Sequence, residues 1–193
     1  MFGKAREAIH YQQLYATSAD FCRIFEKDMN RLYLLSFLLT GSHSAAEKCF
    51  VRGLDDSKSG NPVFKEWAES WARRTIVQNA IQMVQPRPTD ILLSNCEHGD
   101  IIRQPAEIAA IIQLPNFDRF AYVLSVLEGY PLKECTLLLD CSRSELIAAR
   151  MRALQEVVRS AELYKSTKSV GSEPQIPQPN IDHDEFSRLA ATA

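Results

Sequence analysis

Residues 115–157 constrain the fold more than any other part of this 193-residue chain. Their sequence is PNFDRFAYVLSVLEGYPLKECTLLLDCSRSELIAARMRALQEV, and it predicts three short helices with a tight turn between the last two. Pro115 and Pro131 each stand just before a helix, where a fixed φ and a missing N–H do little harm. Phe117, Phe120, Ala121, Leu124 and Leu127 recur at helical spacing and make one buried stripe. Gly129 suits the left-handed position that ends such a helix. A short helix is expected over 132–139, followed by a turn at Asp140-Cys141-Ser142. Ser142 is a good N-cap, and Glu145 three residues on completes a capping box. In the last helix Leu146, Ala149, Ala153, Leu154 and Val157 face inward, which leaves Arg143, Arg150, Arg152 and Arg159 at or near the surface. Two helices joined by a short turn, the second with arginines on its outer side, form the pattern of a helix-turn-helix whose second helix enters the major groove of DNA.

The charge balance qualifies that reading. The chain carries a net charge of -2, whereas free-standing DNA binders are usually basic. Over residues 141–168 there are six basic and three acidic side chains, a local net of +3. A weak patch of this kind suits a protein carried to DNA by a large partner that supplies most of the phosphate contacts.

The first half is also helical in pattern. Residues 15–41 predict one helix, capped by Thr17 or Ser18, with Phe21, Ile24, Phe25, Met29, Leu32, Leu35 and Leu39 on its buried side. Residues 40–44 break it. A second helix is expected over 45–54, then a polar loop, DDSKSGNP, and a third helix over 63–84. Trp67, Trp71, Ile76, Ala80 and Met83 are that helix's buried candidates. Trp67 and Trp71 are four apart and share a face. They can stack on an unpaired base or pack in the core, and core packing is the expectation. Residues 85–104 read as a linker, and a helix over 105–113 leads into the second half. From about residue 166 the chain is rich in Ser, Pro and Gln and is expected to be disordered. Its last stretch, IDHDEFSRLAATA, has a small apolar face of Ile181, Phe186 and Leu189 and reads as a solvated tail.

Other function classes find little support. Hydrophobic and charged residues make up 46% and 24% of the chain, ordinary values for a globular protein. No apolar run approaches the roughly 20 residues of a membrane span. The start, MFGKAREAIHYQQLY, has no apolar signal core, so a cytoplasmic location is expected. Cys22, Cys49, Cys96, Cys135 and Cys141 are odd in number and irregularly spaced, which points to reduced thiols. Cys96 and His98 are close in sequence, but a closed zinc site needs about four ligands. His10, His43 and His183 are scattered, so neither metal nor cofactor is expected. The chain has no Gly-rich phosphate loop, HExxH, nucleophile elbow or CxxC, and no enzyme activity is expected.

The second half resembles region 4 of bacterial sigma factors of the sigma-70 family, the small extracytoplasmic-function (ECF) type above all. That family shows a Leu-Pro start with an Arg a few residues on, then "vL…leG(Y/F)s", "EIAelLG" and "s…tVksRlhRAl". This chain has LPNFDR, VLSVLEGYP, KECTLLLD and CSRSELIAARMRAL in the same order and spacing. Asp140 stands where the family prefers Gly, and Asp tolerates left-handed φ better than most residues. Cys135-Thr136 replaces Ile-Ala. The first half is similar to region 2 through LYLLSFLLTGSHSAAEKCF and WARRTIVQNAI, with Lys48-Cys49 in place of the family's acidic-polar pair.

The resemblance implies an all-α protein of two small helical domains. Residues 1–84 would be region 2-like, 85–104 a linker, 105–165 a helix-turn-helix domain of the winged-helix-like or sigma region 4 type, and 166–193 a tail. It implies a transcription initiation protein whose partners are RNA polymerase core and promoter DNA, and it admits an anti-sigma factor; no membrane and no small-molecule substrate are implied. DNA contact falls on Arg143, Ser144, Ile147, Arg150 and Arg152, contact with the -10 strand on Arg73, Arg74 and Asn79, and polymerase docking on Glu47, Lys48 and Phe50. The alternative is a degenerate sigma-like interaction module that binds polymerase or a regulator without promoter-specific initiation.

Overall fold

The computed structural model describes residues 14–89 and 105–170, and every regular element within them is helical. Among the described residues the eight α-helices are α1 (Ser18–Lys27), α2 (Met29–Thr40), α3 (His43–Ser59), α4 (Ala68–Val84), α5 (Ala106–Ile112), α6 (Asn116–Tyr122), α7 (Leu132–Leu138) and α8 (Arg143–Val170). A 3-10 turn, Lys65–Trp67, leads into α4, and α6 continues into a π-helical segment, Val123–Leu127. The expectation of an all-α fold therefore holds.

Helix ends follow local chemistry. Thr17 caps α1: the Asp20 N–H donates to Thr17 Oγ1 at 3.2 Å, and the Thr17 N–H donates to Asp20 Oδ2 at 2.9 Å. The single helix expected over 15–41 is in fact two, because the chain leaves helical geometry at Asp28 (φ -102°, ψ 21°). Asp is a weak helix former in an interior position. The break turns Met29 to solvent, contrary to its expected burial. Gly41, at φ 80°, ends α2 where the sequence places a breaker.

Helix α3 also departs from expectation, since it continues through residues 55–59, which read as loop. The Ser57 and Ser59 hydroxyls donate to the carbonyls of Gly53 and Asp55 at 2.7 Å, and buried Ser57 also shares a 2.9 Å hydrogen bond with Thr75 on α4. These internal bonds let a polar stretch remain helical.

The two halves share one apolar interior. It runs from Phe25 and most of α2 through Ile76, Val77 and Ala80 of α4 to Phe117, Phe120 and Leu124, and ends on Leu146, Ala149 and Ala153 of α8. Helix α2 is the middle layer, packed on α3 and α4 and also on α5 and α6. It is buried nearly all round, and its buried hydroxyls Ser36 and Thr40 donate back to Leu32 O and Ser36 O. Leu127 lies outside this interior and is exposed, although the stripe predicts its burial. The π-helical segment explains it: the Glu128 N–H bonds Val123 O, five residues back, so the apolar register slips after Leu124.

Among the described residues Arg119 is the largest fully buried side chain. Its Nη1 donates to Ile112 O (3.0 Å) and Leu114 O (3.3 Å), and its Nη2 to Leu39 O (3.2 Å) and Asn116 Oδ1 (2.9 Å). Leu39 and Ile112 lie in the last turns of α2 and α5, where carbonyls lack helical partners and the helix dipole is negative. The guanidinium thus satisfies orphan carbonyls of two helices at once. A Cβ on Gly41 would lie 3.2 Å from Arg119 Nη1, so glycine serves both the turn and this approach. Arg119→Ala is expected to cost about 3 kcal/mol or more, through lost packing and unsatisfied carbonyls, read as a lowered urea midpoint. Arg119→Lys should recover little of it, since an ammonium cannot match the planar fork.

Candidate nucleic-acid interface

The connection between α7 and α8 is built as the sequence leads one to expect. Asp140 adopts φ 47°, and the Cys141 N–H donates to Thr136 O at 3.2 Å. Ser142 and Glu145 form the reciprocal cap: the Ser142 N–H donates to Glu145 Oε2 (2.8 Å), and the Glu145 N–H donates to Ser142 Oγ (3.2 Å). The Ser142 hydroxyl also donates to Glu145 Oε2 at 2.7 Å. These bonds, the hydroxyl's first, hold the Glu145 carboxyl below its ordinary range. Gly129 takes φ 70° at the end of the preceding helical run.

Leu146, Ala149 and Ala153 of α8 are buried, and Leu154 and Val157 are half-buried. At roughly 100° per residue, Arg143, Ile147 and Arg150 share one flank of the helix beside the buried stripe, with Ser144 further round toward solvent. Arg143, Ser144 and Ile147 are exposed and Arg150 is half-buried. Neither Arg143 nor Arg150 has an ion-pair partner among the described residues. The same face continues through Met151 and Val158, both exposed. Arg152 differs, because it lies round the helix and grips the buried Asp118 of α6 with two bonds, Nε to Oδ2 (3.0 Å) and Nη2 to Oδ1 (2.6 Å). That hydrogen bonding raises the Arg152 pKa. Its side chain is 45% exposed, so one side of the fork still faces solvent.

The sites expected in the first half are less uniform. Glu47 and Lys48 are exposed on α3, while Phe50 is half-buried, edge-on to Phe25 at 5.2 Å and to Tyr33 at 6.4 Å. Arg73 is half-buried, and Arg74 pairs with Glu134 of α7 at 2.8 Å. Asn79 is 4% exposed and donates to Asp56 Oδ2 and Thr75 O, so the structure removes it from the surface a strand could touch. Trp67 corrects the core reading of the tryptophans, since it is 58% exposed. The tighter winding of the 3-10 turn directs it away from the α4 stripe. It meets Phe64 edge-on at 5.3 Å, Phe64 stacks on Tyr15 at 4.6 Å, and Trp71 is half-buried.

Cys22, Cys49, Cys135 and Cys141 are free, and burial pushes the Cys49 and Cys135 thiols up to about 11. Such thiols are poor nucleophiles and poor metal ligands. Cys96, His98, His10, His183 and the apolar tail residues lie outside the described residues. Among those described, no group of three or more His, Cys, Asp or Glu could hold a metal ion, and no helix is long and apolar enough to cross a membrane.

The chain matches no family model, no curated protein and no solved structure.

Sequence reasoning missed the Asp118–Arg152 pair and the burial of Arg119. The signal present was a charged pair inside the otherwise apolar run of α6. The α8 cap supplies a direct check. Because the Glu145 pKa is lowered in the fold, its contribution is present above the ordinary carboxylate range and lost as pH falls through the folded value. Ser142→Ala should move the Glu145 titration, followed by NMR, back toward its ordinary range. The same variant should lower stability at neutral pH by about 1 kcal/mol, a difference expected to narrow in acid.

Proposed function

We propose that this chain is a sigma-factor-like transcription initiation protein, which binds RNA polymerase core and lays the first turns of α8 on promoter DNA. The observation that carries the reading is the start of α8. A left-handed Asp140 and a two-way cap fix its angle, its inner face is buried, and Arg143, Ser144, Ile147 and Arg150 stand together on its outer edge. A helix-turn-helix uses this part of its second helix to reach base edges. Arg143 and Arg150 meet phosphates, Ser144 reaches a base edge, and Ile147 packs on a thymine methyl. Arg152 sets the angle of α8 through Asp118 and adds at most one phosphate contact. Glu47, Lys48 and Phe50 dock on polymerase, and Arg73 and Arg74 follow the opened strand without Asn79. The near-neutral chain makes recruitment by polymerase the source of most binding energy.

A second reading is an interaction module that holds polymerase or a regulator without initiating. One observation favours it: Met151 and Val158 extend the α8 face as exposed apolar surface, which suits a protein partner better than a phosphate backbone.

Replacing Arg143 and Arg150 together by Ala should weaken binding of the polymerase complex to promoter DNA. The slope of log affinity against log salt should become shallower by about 2, near 0.9 for each phosphate no longer neutralised. An unchanged slope would assign the face to a protein partner instead.

A further inference from the structure

The aromatic wall of the groove between the start of α4 and the α6–α7 connection is not used by the DNA reading, which takes only Arg73 and Arg74 at its side. It is an open groove of about 630 Å³ walled by Phe64, Trp67, Trp71 and Tyr130, with Arg73 and Arg74 at its side. This volume is typical of a ligand cleft. One feature calls for an occupant: the large exposed surface of Trp67 on the groove wall.

We propose that this groove binds a proline-rich extended peptide, supplied by the segment Pro174-Gln175-Ile176-Pro177 of a second copy of the chain. Aromatic-lined grooves accept polyproline II segments because proline rings pack on aromatic faces at little entropic cost. With three residues per turn, Pro174 and Pro177 fall on one face of such a segment. Glu173, just before Pro174, complements Arg73, while Arg74 is already paired with Glu134.

Reach selects the second copy. Arg143 at the start of α8 lines a small cavity with Leu132 and Lys133, next to the groove residues Pro131 and Glu134. Helix α8 then carries the chain through 28 residues to Val170, about 40 Å along its axis. Val170 therefore lies on the order of 25 Å or more from the groove, by that helical rise. Pro174 follows by four residues, a reach of about 14 Å even when fully extended. The chain's own motif falls short, and reciprocal exchange between two copies closes a symmetric dimer.

Trp67 and Trp71 are the chain's only tryptophans, so their emission reports on this groove directly. Diluting the full-length protein should shift the emission to the red, raise its quenching by acrylamide, and halve the mass in sedimentation. The double variant Pro174→Ala with Pro177→Ala should be monomeric with the red-shifted emission at every concentration. A synthetic peptide, GSEPQIPQPN, should return its emission toward the blue, and a Trp67→Ala form of that variant should lose peptide binding by calorimetry. The proposal is overturned if the peptide in excess leaves the emission of the double variant unchanged. It is equally overturned if the proline substitutions alter the emission of a protein that stays monomeric throughout, which would make the chain's own tail the occupant.

Discussion

A guanidinium shut away from water sets the arrangement of this molecule. Arg119 has to find acceptors in the interior, and it finds them at the carbonyl ends of α2 and α5, in the turn after α5 and on Asn116. An unsatisfied buried cation is costly enough that these groups must converge. Its neighbour in sequence, Asp118, points elsewhere and takes both arms of Arg152 from α8. The short helix α6 is therefore the hub, with Arg119 fastening it to α2 and α5 and Asp118 fastening it to α8. Phe117 and Phe120, on the same helix, fill the apolar space between.

The proposed function depends on this fastening. With α8 held by Arg152 and by its buried Leu146, Ala149 and Ala153, its outer edge has one orientation in which to present Arg143 and Arg150. Those two arginines lack ion-pair partners among the described residues, whereas Arg152, Arg159 and Arg74 are tied to carboxylates. The positive charge left for a phosphate backbone is thus smaller than the arginine count suggests. That agrees with a net charge of -2 and with a protein brought to DNA by a larger assembly. The first half contributes in the same limited way: Arg73 and exposed Lys48 remain outward, while Asn79 is spent on Asp56.

Local chemistry was legible in the sequence, and long-range chemistry was not. The cap by Ser142 and Glu145, the left-handed Asp140 and Gly129, the stop at Gly41 and the cap at Thr17 each depend on residues within a turn of one another, and each is present. The errors arise where a partner far along the chain decides. Residues 55–59 read as loop because their polarity is visible, but the bond from Ser57 to Thr75 is not. Leu127 reads as core because the π-helical slip that turns it out is invisible to a fixed 3.6-residue period. Trp67 reads as core because the same fixed period does not reveal that its own turn is 3-10. Arg119 lies in an apolar stripe, yet only the fold brings Leu39, eighty positions away, to meet it.

Whether α8 reads promoters is tested most directly by run-off transcription with RNA polymerase core, this protein and a library of genomic promoter fragments. Transcripts should begin at defined start sites whose upstream sequences share a common element. They should disappear when Arg143 and Arg150 are both replaced by Ala. A folded protein that binds core but yields no specific start site would contradict the sigma-like function.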